Sequence, residues 1–236
     1  MALAGPRSRE VLARLAEDVA VDDAALPHMG ARGGRLAGIP ARIFRISFSG
    51  ERAYEINVPA DLATAAWTAL LEAGASLGIA PYGTEAMGIL RIEKGNVAGA
   101  ELDGTTTAED LGLGRLVSRR KTDFIGRHAL SRPGLTDPER PRLVGLVPED
   151  GTTRLRAGAQ IVADSRVPPP VEAIGRITSV ADSPVLDYPI ALGFLVGGMA
   201  RKGETMHALF PLAEQWVPVR VTDPVFYDPA GERLHG

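Results

Sequence analysis

Apolar and polar positions alternate with period two along residues 43–48 and again along 54–58. The pattern predicts two half-buried strands joined by a Gly-containing turn. Pairing Phe48 with Tyr54, Ile46 with Ile56 and Phe44 with Val58 gives one apolar face and the short tip Gly50-Glu51-Arg52. That register sets Glu55 opposite Ser47, on the face away from the aromatic rings. Elsewhere the period changes. Val11, Leu12, Leu15 and Ala16 stand at helical spacing after Pro6 and predict a helix over 7–17. Residues 32–37 predict a strand. Pro59-Ala60-Asp61 opens a second helix carrying Leu62, Ala66, Trp67, Leu70 and Leu71, with Gly74 placed as a left-handed cap. Thr84 opens a third helix that Gly95 ends, and Gly88 inside it predicts a close backbone approach. A turn or short helix is expected over 108–116 and a short helix over 123–130.

After residue 140 the character changes. Short β-branched-rich runs at 142–147, 160–163, 173–180, 190–196, 205–210 and 216–221 are separated by turn residues. Such spacing predicts a small antiparallel barrel or sandwich. Pro133, Gly134 and Pro138 mark 131–140 as the linker, and Pro168-Pro169-Pro170 as a stiff loop. The fold class is therefore α+β, divided as 1–130, a linker at 131–140, and a β-barrel domain at 141–236.

Composition narrows the function classes. The chain has 236 residues, 45% hydrophobic and 23% charged, with a net charge of -3. Such a balance predicts neither a nucleic-acid partner nor an anionic membrane surface. With no cysteine there is no disulfide, thiolate metal site or cysteine nucleophile. No apolar run reaches membrane-spanning length and no signal peptide opens the chain, so a cytoplasmic protein is expected. Gly112-Leu113-Gly114-Arg115 starts like a dinucleotide fingerprint but lacks the third small residue and the flanking βαβ unit. The histidines at 28, 128, 207 and 235 are too scattered to read as a metal set, and no metal is expected. Ser118-Arg-Arg-Lys121 does not offer the buried lysine a nucleophile would need. Arg119-Arg120-Lys121 is a solvated basic run or a seat for an anionic group. A carboxylate held on a stiff strand can accept paired N–H donors, so Glu55 is a candidate binding residue. A solvated strand glutamate is the ordinary alternative.

The blocks Gly5-Pro-Arg-Ser-Arg-Glu-Val-Leu12, Arg45-Ile-Ser-Phe-Ser-Gly-Glu51 and Tyr54-Glu-Ile-Asn-Val58 occur in order. Leu90-Arg-Ile-Glu-Lys-Gly95, Thr105-Thr-Thr107, Asp123-Phe-Ile-Gly-Arg127, Gly175-Arg-Ile-Thr-Ser179 and Pro189-Ile-Ala-Leu-Gly193 follow them. As a set they resemble the glycine-cleavage aminomethyltransferase (T-protein) superfamily over essentially the whole chain. Gly83 to Gly95 and Asp110-Leu-Gly-Leu-Gly-Arg115 look most like its branch in sarcosine oxidase α subunits, the C-terminal folate-binding domain. Met87 stands where T-proteins usually place a folate-contacting arginine, which points to that branch. The resemblance implies a partial T-protein-like folate-binding fold followed by the small barrel, with tetrahydrofolate as ligand. Glu55 then matches the strand glutamate that hydrogen-bonds the pterin, Tyr54 shapes the same wall, and Tyr227 lies near a C-terminal folate contact.

The implied chemistry is oxidation of the sarcosine N-methyl group at a flavin and capture of the carbon as 5,10-methylenetetrahydrofolate. The implied partners are a flavoprotein β subunit and the other oxidase subunits, with flavins and NAD bound elsewhere in that complex. The acidic residue assisting the chemistry belongs to an N-terminal part of the family domain that is not in these residues. We therefore expect a fragment or truncated reading frame with no catalytic residue of its own. The alternatives are a self-sufficient glycine-cleavage aminomethyltransferase, and a non-catalytic remnant of the fold acting as a binding module.

Overall fold

The computed structural model describes residues 1–118, 120–164 and 170–235. Arg119 of the basic run and Pro168-Pro169 of the proline loop lie outside them. Two compact units result: one comprises Met1–Arg91 with Asp228–Gly236, the other Ile92–Tyr227.

In the first unit, β1 (Ala2–Ala4), β2 (Ala31–Leu36), β3 (Ile39–Phe44) and β4 (Ala53–Asn57) form an antiparallel sheet in the order β1-β4-β3-β2. Three helices belong to this part of the chain: α1 (Ser8–Leu15), α2 (Ala63–Gly74) and most of α3 (Thr84–Glu93). Val11 and Leu12 of α1 and Leu70 of α2 pack with Ile43, Tyr54 and Ile56 in one apolar core. Burial there supplies the main drive for the unit, since each fully buried large aliphatic side chain contributes about 1.5–3 kcal/mol.

Strands β2 and β4 lie where their patterns predict, but β1 is not among the expected strands, the strand expected at 43–48 is instead Ile39–Phe44, and the pairing between β3 and β4 differs. Ile43 faces Ile56 and Phe44 faces Glu55. The inward residues of β3 are therefore Ile39, Ala41 and Ile43, not Phe44, Ile46 and Phe48. Residues 45–52 form a long loop in place of the short tip. What closes it is ionic. Arg45 and Arg52, whose side chains are 4% and 5% exposed, both donate to Oδ1 of Asp23. Both also donate to the carbonyl of His235, at 2.7 and 3.0 Å. Arg9 takes the other carboxylate oxygen at 2.5 Å. A period-two reading sees alternation, not partners 22 and 190 residues away.

Two glycines behave differently from expectation. The helical run continues past Gly74 through a 3-10 turn at Ala75–Leu77, and Gly78 is the left-handed residue. Gly88 has open space beside it, not a close neighbour. The expected helix over 123–130 is instead a series of turns ending in a 3-10 turn at Ala129–Ser131.

In the second unit a short helix α4 (Pro133–Thr136) lies within the expected linker, and the barrel follows. Its strands are β5 (Pro141–Pro148), β6 (Gln160–Val162), β7 (Gly175–Ser183), β8 (Tyr188–Val196), β9 (Thr205–Phe210) and β10 (Gln215–Thr222). They close in the order β10-β5-β8-β7-β6-β9, all neighbours antiparallel. Closure removes the exposed edges an open sheet would carry. Val144, Leu146, Ile161, Ile177, Leu195 and Val219 fill the interior. Gly175 is required: a Cβ there would lie 2.2 Å from the carbonyl oxygen of Phe194 on the neighbouring strand. The chain then returns to the first unit through α5 (Glu232–His235).

Three titrating or orphaned groups in the first unit generate predictions. The arginines hold the Asp23 carboxyl down at about 2, with the Arg9 hydrogen bond the largest cause. Burial, then His235 and Arg45, pushes the His28 imidazole below its ordinary value, and the two rings meet edge to face at 4.9 Å. Both groups bind protons more readily when unfolded, so both stabilise at higher pH. The His28 contribution should fall away as pH drops through the unfolded value near 6.5, and the Asp23 contribution between about pH 4 and pH 2. Denaturation midpoints followed against pH should show the upper loss abolished in His28→Gln and the lower loss in Asp23→Asn. Tyr54 offers a separate test. Its ring is fully buried and its hydroxyl has no partner among the described residues. Tyr54→Phe keeps the ring and removes an unsatisfied group, so urea unfolding should find it unchanged or stabilised by about 1 kcal/mol.

Candidate functional site

Strand β4 sets two neighbouring residues on opposite faces. Its burial alternates so that Tyr54 and Ile56 are buried while Glu55 and Asn57 are exposed. Glu55 therefore stands on the outer face, where the cross-strand partners on that face are Ala2 and Phe44. The carboxylate is open to a ligand, and the residue beneath it cannot move without opening the core. The expected facing of Glu55 away from the Tyr54 ring is thus observed, although through a different register. Tyr54 reaches no exposed surface and can act on a ligand only by fixing the backbone that carries Glu55.

The interior position of β4 adds to this rigidity. On one side Met1 and Ile56 exchange backbone hydrogen bonds of 2.9 and 2.8 Å. On the other side β3 pairs along Arg42, Ile43 and Phe44. Side chains on such a strand are more firmly placed than on a loop.

A cavity of about 690 Å³ opens in the same unit beside β1. Ala2 and Leu3 of β1, Trp67 and Leu70 of α2, and Tyr82 and Met87 are among the residues that line it. Trp67 and Tyr82 keep 42% and 41% of their surface exposed, which leaves aromatic faces available to a planar ligand. Burial raises the Tyr82 phenol, so it stays protonated and can donate. Met87 is the position singled out in sequence, and it stands on this wall. Glu55 is not a lining residue, but Ala2, its cross-strand partner, is.

Tyr227 belongs to the second unit. It is half-buried, and its backbone N–H donates 2.9 Å to the carbonyl of Glu93. The same carbonyl accepts from Phe226. Gly95 explains the tight approach of this segment, since a Cβ there would lie 2.5 Å from the Pro224 carbonyl oxygen.

Sequence reading missed three buried carboxylates in the second unit. Glu93 accepts from the Ser183 hydroxyl at 2.5 Å, and Glu101 from the Ser179 hydroxyl at 2.6 Å and the Ala98 N–H at 3.0 Å. Asp110 binds Arg140 through both oxygens, at 3.0 and 2.6 Å. Burial pushes the Asp110 carboxyl up, but Arg140 and Thr107 outweigh it and hold it below the usual range. Each carboxylate lies in or beside a recognised sequence block, and each ties a non-strand segment within this unit. Only Glu101 carried a signal, as the single charge in Val97-Ala-Gly-Ala-Glu-Leu102. Among the described residues no group of three or more His, Asp or Glu could hold a metal ion, and no helix is long and apolar enough to cross a membrane. Arg120 and Lys121 of the basic run are exposed.

Comparison with known proteins places this geometry. The family described as GCVT N-terminal domain matches residues 1–121, and the glycine cleavage T-protein C-terminal barrel domain matches 142–228. The sarcosine oxidase subunit alpha of Rhizobium meliloti (strain 1021) is 44% identical over 240 aligned positions, covering 100% of this chain and 24% of that relative. The same subunit of Corynebacterium sp. (strain P-1) is 40% identical, again over 100% of this chain and 24% of its own length. An aminomethyltransferase of Streptomyces avermitilis is 39% identical over 86% of this chain and 53% of its own. Among solved structures, the glycine cleavage system aminomethyltransferase T from Bartonella henselae superposes with a TM-score of 0.77 at 26% identity, covering 95% of this chain and 58% of that one. The chain thus spans about a quarter of the sarcosine oxidase subunits and about half of the aminomethyltransferases that it matches. Both matched segments, in the same order, and a closed antiparallel barrel under the second of them show that the chain belongs to the glycine cleavage T-protein (aminomethyltransferase) family, with sarcosine oxidase α subunits among its homologues.

Proposed function

We propose that the chain is the tetrahydrofolate-binding part of a sarcosine oxidase α subunit, and that Glu55 is its pterin ligand. The observation that carries the reading is the exposed carboxylate of Glu55 on an interior strand whose next residue is fully buried. A pterin presents a ring N–H and an amino group side by side. A carboxylate accepts both at once, and such charge-assisted pairs are about twice as strong as neutral hydrogen bonds. The choice of branch rests on identity and coverage together: the Rhizobium meliloti α subunit is 44% identical over the whole chain, whereas the Streptomyces avermitilis aminomethyltransferase is 39% identical over 86% of it. Met87 supports the same choice.

Within this reading Tyr54 fixes the wall from below and Tyr227 is a further folate contact, tested by its own substitution. The aromatic and apolar lining at Trp67, Tyr82 and Met87 suits the flat, uncharged part of a folate. Bound tetrahydrofolate supplies the amines that take up the one-carbon unit as 5,10-methylenetetrahydrofolate. The chain's own contribution is to bind and orient it. We assign no catalytic carboxylate within these residues. The oxidised methyl group is supplied by a flavin site in the parent enzyme, reached through a flavoprotein β subunit and the remaining subunits. The assembly is placed in the cytoplasm.

Anaerobic calorimetry with tetrahydrofolate tests the proposal. The chain should bind, and Glu55→Gln should weaken binding by roughly 10- to 100-fold, the range for losing about 1.5–3 kcal/mol of charged hydrogen bonding. Equal affinity in chain and variant would make Glu55 structural. Turnover of an aminomethyl-lipoyl carrier protein by the chain alone would move it to the glycine-cleavage reading.

A further inference from the structure

The geometry points to Arg52 as a positioning residue for Glu55, acting through an ionic staple that it forms with Arg45 across Asp23. The inference rests on the reading of Glu55 as the pterin ligand and adds what holds that carboxylate in place.

A tight hairpin fixes the start of its second strand by turn geometry. Here the loop between β3 and β4 is too long for that, and its register needs another source. Arg45 stands just after β3 and Arg52 just before β4. Their guanidiniums meet on the same two acceptors, the Oδ1 of Asp23 and the carbonyl of His235. The backbone of Arg52 is held as well: its carbonyl accepts from the Gly5 N–H at 2.9 Å and the Ser8 hydroxyl at 3.0 Å. Arg45 is likewise paired through its backbone, with Met29 and Gly30 at 2.9 Å each. Arg52 therefore sits at a node that joins α1, Asp23, the C-terminal segment and the entry to β4.

Glu55 follows three residues later along an extended strand. At about 3.3 Å per residue the node and the carboxylate-bearing Cα lie roughly 10 Å apart. Nothing flexible intervenes, because Tyr54 between them is fully buried. A shift of the entry residue is carried along the strand to Glu55. A ligand held by two parallel hydrogen bonds tolerates little such movement, and a displacement of about 1 Å can cost up to about 100-fold.

Arg52→Lys keeps the charge, but one ammonium cannot reproduce the planar fork onto both acceptors. Arg52→Gln removes the charge as well. Tetrahydrofolate affinity is measured for the full chain carrying each of these, for Glu55→Gln, and for the double variants, with amide hydrogen exchange followed along β4. We expect roughly 10-fold weaker binding in Arg52→Lys with the chain folded, faster exchange at residues 53–57, and no further loss when Arg52→Lys is added to Glu55→Gln. Such non-additivity is the mark of one residue acting through another, which a merely structural role would not produce. Should Glu55→Gln weaken binding while both Arg52 variants bind like the parent, the positioning role is overturned and the pterin reading stands. If the losses at the two positions simply add, the role is likewise overturned. If Glu55→Gln binds like the parent, the pterin reading itself fails. If Arg52→Gln does not fold, Arg52→Lys and Asp23→Asn, which removes the charge of the shared anchor, carry the test.

Discussion

Two buried guanidiniums share one carboxylate oxygen, and the first unit depends on that arrangement. Arg45 and Arg52 are almost wholly enclosed, whereas Asp23 keeps about half of its side-chain surface exposed, at 49%. Burying cations without partners is expensive, and pairing them only offsets the expense when the geometry is good. Here the offset comes from Asp23 together with the carbonyls of His235 and Leu26. The arrangement therefore specifies conformation more than it adds stability. It closes a loop whose turn could not, and it decides where the fully buried Tyr54 and its exposed neighbour come to lie along β4.

Most of the architecture was legible because it is local. Every barrel strand lay under a β-branched run, since each strand needs an inward face and turn residues at its ends. Helices α1 and α2 followed from apolar spacing with Pro6 and Pro59 at their starts, and α3 from Thr84 and Gly95 at its ends. The register of β3 against β4 was not legible. Phe44, Ile46 and Phe48 alternate as convincingly as Ile39, Ala41 and Ile43, and periodicity cannot choose between overlapping frames. The deciding partners, Asp23 and His235, are remote in sequence. The unexpected roles of Gly74 and Gly88 have a similar cause, because the backbone angle and free space at a glycine depend on what packs beside it.

The candidate site was legible in part for the same reason. Alternation alone set Glu55 opposite Tyr54, and that relation survives any shift of register, because adjacent residues of one strand face opposite sides. Alternation could not say whether the carboxylate had a purpose. Its role as a pterin ligand is our proposal from the family relationship, and the structure shows a separate cavity wall containing Trp67, Tyr82 and Met87, drawn from residues that no spacing rule links. The buried carboxylates Glu93, Glu101 and Asp110 show the opposite case. They are as chemically capable as Glu55, yet each is occupied with serine hydroxyls or an arginine, so their identity is explained by holding segments to the barrel unit.

The return of residues 228–235 to the first unit after the barrel bears on how the protein is made. Arg45 and Arg52 are synthesised early, but one of the two acceptors they share belongs to His235. While the barrel residues are still emerging from the ribosome, the first unit holds two cations and an incomplete seat for them. Domains generally fold in order of synthesis. This unit instead has a built-in delay: the hydrogen bonds to the His235 carbonyl form only after the barrel sequence has been made, so its final locking follows the synthesis of the barrel.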